Sequence, residues 1–484
     1  MYKVLIATSA LLLGACGGTP AYRTSEVPVP ASYTLGTAAP GAADGRAVSP
    51  AEDASSSMVR VSAALSTPFW TELGDTTLAK LVREAQRANM DVRIAESRLT
   101  GARAAKHLAA LDLIPTITGT GSTQVTQLST AVTPGLSRLP TQTYWDAGFD
   151  ASWEVDIFGR VSRNVKGVGA LAEASQHGLE DVQVSVAAEV ARTYFDLRGA
   201  QRQLAVSQQF AATQRKIVKL TEDRLAAGRG TAFDTERAKS VLYLALAATP
   251  RLESQIAIDK NRLAVLMGRA PDALPAAALD SGSLPKLPDT LYVGSPEQLV
   301  RRRPDVLRAE RELAASALFV GGARAEYLPK VTLSARAGYM AASLDSLFKS
   351  NNSRLLFGPV LTIPLFDVGR VRQRVEVAEA GQDQAQATYN ATVLHALEES
   401  EASLVTYDRA HATLAILEDA VKSSAKAADL AQQRFEAGLT DLLQVLDAER
   451  TLLDSQNQLV QGHTAAATAL VAVYKAVGGT WPIK

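Results

Sequence analysis

The stretch Trp145-Asp146-Ala147-Gly148-Phe149-Asp150-Ala151-Ser152-Trp153-Glu154-Val155-Asp156 alternates without a break. Trp145, Ala147, Phe149, Ala151, Trp153 and Val155 stand against Asp146, Gly148, Asp150, Ser152, Glu154 and Asp156. Successive side chains of a strand point to opposite faces, so this period of two predicts a β-strand with one apolar and one polar face. A tilted membrane strand needs ~9–11 residues, which this run supplies. Val331, Leu333, Ala335, Ala337 and Tyr339 repeat the pattern against Thr332, Ser334, Arg336 and Gly338, and weaker versions run over 113–125 and 355–365. A soluble sheet with one wet face would show the same alternation. The surrounding sequence favours the membrane reading.

The four strands sit in pairs at equivalent places of a duplicated chain. Asp91-Val92-x-x-Ala95-Glu96-x-x-Leu99 recurs as Asp305-Val306-x-x-Ala309-Glu310-x-x-Leu313, and 114–118 recurs at 328–332, both at an offset of 214. Gly159-Arg160, Arg224-x-x-Ala227-Gly228 and Met267-Gly268 recur as Gly369-Arg370, Arg434-x-x-Ala437-Gly438 and Val477-Gly478 at an offset of 210. Conserved order at near-constant offset marks an internal repeat. We divide the chain into a first repeat over 67–275 and a second over 276–484.

Each strand pair is followed by a proline-free stretch, 160–227 and 370–437, rich in Ala, Gln, Leu and Glu. These are strong helix formers, and at 1.5 Å per residue each would extend ~100 Å. Leu439, Leu446, Leu453 and Val460 are spaced by seven, as are Val445, Leu452 and Leu459. That period implies left-handed supercoiling against neighbouring helices.

The chain opens on Met1-Tyr2-Lys3, an apolar run over 4–13 and Gly14-Ala15-Cys16-Gly17. This predicts a secretory signal peptide over 1–15. Leu13-Gly14-Ala15-Cys16 resembles a bacterial lipobox, making Cys16 the expected lipidation site. Gly17, rather than Asp, follows the cysteine, which in lipoproteins favours the outer membrane. The Pro-, Ser- and Ala-rich segment 16–66 reads as a lipidated flexible tether.

Composition excludes much else. Lys plus Arg and Asp plus Glu each number 50, so no basic surface points to nucleic acid. The single cysteine rules out an internal disulfide or a thiolate zinc site. No phosphate-binding loop occurs. The histidines at 107, 177, 395, 411 and 463 lack zinc-type spacing. His395 with Glu398 and Glu399 comes nearest to a site and reads better as a solvated helix face. Asp146, Asp150, Glu154 and Asp156 share one strand face and read as lumen lining. No catalytic residue, metal or cofactor is expected.

Four strands cannot close a barrel, since known membrane barrels begin at ~8, and open edges in lipid leave backbone groups unpaired. At least two chains must therefore combine. The fold class is α+β: four strands per chain in an oligomeric outer-membrane β-barrel, continued by a long periplasmic α-helical barrel and built from two internal repeats.

From about residue 66 onward the chain resembles the TolC/OprM family of outer-membrane efflux proteins, closest to its lipoprotein, NodT-like branch. The marks are Phe69-Trp70-x-x-Leu73-Gly74-Asp75-x-x-Leu78, Arg302-Arg303-Pro304-Asp305-Val306 with Ala309-Glu310, and Ile363-Pro364-Leu365-Phe366-Asp367-x-Gly369-Arg370. Further marks are Arg434-Phe435-x-Ala437-Gly438, Leu446-Asp447-Ala448-Glu449-Arg450 and Tyr474-Lys475-Ala476-x-Gly478-Gly479. The resemblance implies a homotrimer with a 12-stranded barrel, anchored in outer-membrane lipid. Its helical tunnel is closed at the periplasmic tip and docks to a periplasmic adaptor and an inner-membrane pump of the RND type. Such a chain is the exit duct of a tripartite efflux system conducting small molecules. A type I protein-secretion duct and a lipid-anchored coiled-coil scaffold without a pore are the alternatives.

The tip falls at Arg224–Gly228 and Arg434–Gly438, each ending a long helix with Gly as left-handed cap. Returning helices begin near Thr231 and Thr440. These turns, with Arg224, Gly228, Arg434 and Gly438, are the expected adaptor-docking elements. By the resemblance, Leu443, Asp447 and Arg450 form the periplasmic gate. The first repeat carries Phe233, Arg237 and Ser240 at those places.

Overall fold

The computed structural model describes residues 73–127, 140–271 and 295–479, the short stretches 27–30, 32–33, 59–61, 286–288 and 291–293, and residues 273, 279 and 284. Cys16, the expected signal peptide, most of the tether and Phe69-Trp70 lie outside the described residues. In chain order the elements are β1 (Val59–Val61), α1 (Thr76–Ala88), α2 (Met90–Leu111), β2 (Thr116–Thr126), β3 (Gln142–Val155), α3 (Arg160–Ala226) and α4 (Ala232–Leu266). There follow β4 (Leu291–Val293), α5 (Pro296–Val300), α6 (Pro304–Ala325), β5 (Lys330–Ala341), β6 (Ser353–Thr362), α7 (Val368–Glu436) and α8 (Leu442–Ala476). The long helices have 67 residues in α3 and 69 in α7, and each returning helix has 35.

The described residues divide into two compact units, one formed by those within 97–176 and 308–391 and the other by those within 27–96, 177–307 and 392–479. The first holds an antiparallel sheet in the order β2-β3-β5-β6. Its centre joins the two repeats, with β3 paired to β5 from Trp145↔Ala341 to Val155↔Val331. The strand limits differ slightly from those expected at both edges. After α2 the chain keeps turning, with Leu113 and Ile114 N–H bonded to Ala110 and Leu111 carbonyls, and β2 starts only after Pro115. At the other edge β6 ends at Thr362, because Leu365 N–H turns back to the Ile363 carbonyl at 2.9 Å around Pro364.

The register sorts the side chains of all four strands. Odd-numbered positions form one apolar face that includes Ile117, Phe149, Trp153, Leu333, Leu355, Phe357 and Leu361. Phe149 is 64% exposed, Phe357 70% and Leu355 79%, so this face is uncovered within the chain. A contiguous apolar surface of this kind marks contact with a partner or with lipid. Even-numbered positions carry Thr116, Thr118, Ser122, Asp146, Asp150, Ser152, Glu154, Ser334, Arg336 and Arg354. Among the described residues no helix is long and apolar enough to cross a membrane.

The second unit is a helical pack centred on small residues. Ala187, Val190, Ala191, Phe195 and Leu197 of α3 and Ala466, Ala467, Leu470 and Val473 of α8 are buried. Small residues let backbones approach closely: a Cβ on Gly199 would lie 2.3 Å from Thr464 Oγ1. The heptad seam runs along α8, where Val445, Leu446 and Val460 are buried. Leu439 departs from the expected seam. It falls in the turn before α8 and is 70% exposed.

Candidate functional site

At the tip, both long helices end in the same hydrogen-bonded motif. Gly228 N–H donates to Leu225 O at 3.0 Å and Arg229 N–H to Arg224 O at 2.8 Å. In the second repeat Gly438 N–H donates to Phe435 O at 3.0 Å and Leu439 N–H to Arg434 O at 2.8 Å. This double closure is the Schellman motif, which needs a left-handed residue. Gly228 and Gly438 supply it with φ of 67° and 73°. The returning helix α4 starts in a capping box between Thr231 and Asp234. Its counterpart α8 is capped one residue after Thr440, by Asp441 accepting from Gln444 N–H at 3.1 Å.

Arg224 does more than end a helix. Its Nη2 donates to the Phe435 carbonyl at 3.1 Å, and its Cζ lies 4.2 Å from the Phe435 ring centroid. Phe435 is itself buried against Ile217, Val218, Ala238, Leu442, Val445 and Leu446. The first repeat's tip is thus held to the second's by a cation–π contact and a bond to a helix-terminal carbonyl. Arg434, the repeat equivalent of Arg224, is exposed.

Leu443, Asp447 and Arg450 share the exposed face of α8, while Leu442, Val445, Leu446 and Glu449 fill its buried face. Leu443 is 48% exposed. Arg450 Nε reaches Asp454 Oδ2 of its own helix at 4.0 Å rather than Asp447. Phe233, at the place of Leu443 in the first repeat, is exposed too. Glu449 is buried, and burial pushes its carboxyl above the ordinary range.

A buried polar clamp explains the Arg303-Pro304-Asp305 motif. Arg303 Nε and Nη2 donate to the two Asp305 oxygens at 3.0 and 2.8 Å, and Nη2 also reaches Glu399 Oε2 at 2.7 Å. Nη1 donates to Ala476 O, the last carbonyl of α8, at 2.8 Å. The first repeat solves the same problem with Asn89, whose Nδ2 donates to Leu266 O, the last carbonyl of α4, at 2.8 Å. Asn89 Oδ1 also accepts from Asp91 N–H at 2.8 Å and so caps α2. Sequence reasoning missed this pair, although Asn89 and Arg303 stand at the 214-residue offset. The clamp also divides the trio around His395: Glu399 serves Arg303, while His395 Nδ1 lies 3.4 Å from Glu398 alone.

In the sheet, Asp146, Asp150 and Glu154 lie on the polar face, as expected. Asp156, just past β3, instead accepts from Val161 and Ser162 N–H at 3.0 and 2.8 Å, capping the start of α3. Among the described residues no group of His, Cys, Asp and Glu could hold a metal ion.

A sheet with an uncovered apolar face, long paired helices and a duplicated chain define a class of outer-membrane channel. The chain belongs to the outer membrane efflux protein family, whose model matches residues 81–269 and 295–479. It is 31% identical to the outer membrane protein OprJ of Pseudomonas aeruginosa over 478 residues, 98% of this chain and 94% of that protein. It is 29% identical over 485 residues to the solvent efflux pump outer membrane protein SrpC of Pseudomonas putida, covering 100% of this chain and 99% of SrpC. Its fold superposes on the outer-membrane channel OprN with a TM-score of 0.85 at 32% identity, covering 96% of this chain and 99% of OprN. The chain is therefore an α+β outer-membrane efflux channel, with its strands in the outer membrane and its helical barrel in the periplasm. Family membership separates this duct from a scaffold without a pore.

Proposed function

We propose that three copies of this chain form the passive exit duct of a tripartite small-molecule efflux system, with no catalytic step of its own. The observation that carries this reading is the sheet order β2-β3-β5-β6, open at both edges and apolar on one face. Unpaired edges in lipid are costly, so β2 of one protomer and β6 of the next must pair until the barrel closes, and three copies supply 12 strands. Relatives described as solvent and antibiotic efflux pump outer membrane proteins support small molecules as cargo over secreted proteins.

The partners in this reading are a periplasmic adaptor and an inner-membrane pump of the RND type. The adaptor meets the tip turns carrying Arg224, Gly228, Arg434 and Gly438, and Leu443, Asp447 and Arg450 close the tunnel. The boundaries that go with it are a signal peptide over 1–15, a tether over 16–66 lipidated at Cys16, and repeats over 67–275 and 276–484. Radioactive palmitate should label the wild type and not Cys16→Ser. Native mass determination in detergent tests the assembly: a trimer is expected, and a well-folded monomer would refute the barrel.

A further inference from the structure

The carboxylate row of β3 looks acidic in sequence, but the sheet does not leave it so. Gly148 faces Gly338 of β5, and Gly338 in turn faces Arg354 of β6. The two glycines allow an unusually close approach of the strands. A Cβ on Gly148 would lie 2.4 Å from Ala337 O, and one on Gly338 2.4 Å from Ala147 O. With no side chain on Gly338, the Arg354 guanidinium crosses over β5 and pairs with Asp146 of β3 at 2.6 Å. Two positions along β5, Arg336 Nε lies 3.8 Å from Asp150 Oδ1. Asp150 Oδ1 and Arg354 Nε are both shielded, yet neither makes a hydrogen bond. The charged residues of the four strands are Asp146, Asp150 and Glu154 against Lys330, Arg336 and Arg354, and all six fall on the polar face. Glu154 is held by Arg160 at the start of α3, at 2.6 and 2.8 Å.

We propose that Arg336 and Arg354 are selectivity-determining residues, which neutralise the carboxylate row on the conducting face so that the barrel passes small solutes of either charge sign. Gly338 is part of the device, because a Cβ there would lie 2.4 Å from Ala147 O and 2.6 Å from Gly148 Cα, so any side chain would force apart the two strands that Arg354 spans to reach Asp146. A bare row of Asp146, Asp150 and Glu154, repeated in each protomer, would form acidic rings, and charged rings in a pore select for counter-ions. Substitutions on the lumen side of a barrel tune selectivity, whereas the lipid side governs stability. The inference rests on reading this face as the conduit lining.

The test is the reversal potential of purified channels in planar bilayers under a potassium chloride gradient. Wild type should discriminate weakly between K⁺ and Cl⁻. Arg354→Gln and Arg336→Gln should each raise the K⁺/Cl⁻ permeability ratio at least about twofold in ~0.1 M salt, where the Debye length is ~10 Å. Asp146→Asn should shift the ratio the opposite way, towards Cl⁻. The double variant Asp146→Asn with Arg354→Gln, and the charge-keeping Arg354→Lys, should return it to the wild-type value. Opposite shifts from the two partners of one ion pair would not arise from damage to the barrel. Assembled channels in which none of the single variants moves the reversal potential would overturn the inference. Absence of any conductance from both the wild-type protein and the gate-opened double variant Leu443→Ala with Asp447→Ala would instead overturn the channel reading beneath it.

Discussion

The Arg224 guanidinium of the first repeat lies over the Phe435 ring of the second, its Cζ 4.2 Å from the centroid, while its Nη2 donates to the Phe435 backbone carbonyl. The contact joins the two helical turns of one protomer at the end where the tunnel is proposed to close. A cation–π contact contributes ~0.5–2 kcal/mol depending on its desolvation. Arg224→Ala should therefore speed amide exchange at 433–439 by about two- to thirtyfold, since local opening sets that rate. Arg224→Lys should fall between, keeping the charge but losing the guanidinium that reaches ring and carbonyl together. Unchanged protection in the alanine variant, measured by hydrogen exchange with mass spectrometry, would mean the turns are held independently.

Arg303 governs the opposite end of the returning helix α8. The Asp305 carboxyl is pushed up by burial, but hydrogen bonds and charge from Arg303 outweigh this and hold it below the ordinary range. A carboxyl lowered on folding contributes stability above its unfolded value of ~3.9, and that contribution is lost as pH falls through the lowered value. Arg303→Met leaves a mostly shielded carboxylate without its partner. Breaking a buried pair costs ~3–5 kcal/mol, and the partial exposure of Asp305 and Glu399 places the expected loss near ~3. Urea unfolding followed by far-ultraviolet circular dichroism should show that deficit at pH 7 and a shrinking one below about pH 4, where the wild type also loses the pair. A deficit independent of pH would assign the loss to packing alone.

Glu449 should behave in the opposite sense. Burial raises its carboxyl above the unfolded value of ~4.3, so its contribution is present below that pH and is lost as pH rises through the raised value. Glu449→Gln keeps the shape without the charge. It should raise the thermal midpoint at pH 7 and leave it unchanged near pH 4. A midpoint lowered at pH 7 would show that the charged form is compensated in the fold.

The strands and long helices could be read from sequence because each carries a period set by its own backbone, two residues or three to four. The duplication reinforced them, since each weak strand had a stronger counterpart. What could not be read was everything fixed by register between distant segments. Nothing in the order Asp146, Asp150, Glu154 announces that Arg354, 208 residues away along the chain, will neutralise Asp146 across a glycine. Asn89 and Arg303 escaped for a different reason: they do the same work with different chemistry, so the repeat aligned them without resembling itself there. Leu439 misled because the seven-residue spacing runs back past the start of α8, which Asp441 caps, into the turn that Gly438 opens.

The gate should be held mainly by Leu443. Leu443, Asp447 and Arg450 are spaced by four and three, which puts them on one helical face, and that face is exposed in the protomer. Residues packed within the protomer occupy the other face, so these three are free to meet a neighbouring protomer or the tunnel. Arg450 already has an exposed partner in Asp454 of its own helix at 4.0 Å. Exposed pairs contribute ~0–1 kcal/mol, so a further bond from Arg450 to Asp447 of a neighbour would add little. Three Leu443 side chains brought together would instead exclude water, and an apolar constriction closes a pore by dewetting. Single-channel recordings should therefore show a larger conductance for Leu443→Ala than for Asp447→Ala. The double variant should be the most open of the three, with trimer assembly unchanged on native gels. Wild-type conductance in a correctly assembled double variant would place the constriction elsewhere and leave this face as ordinary contact between protomers.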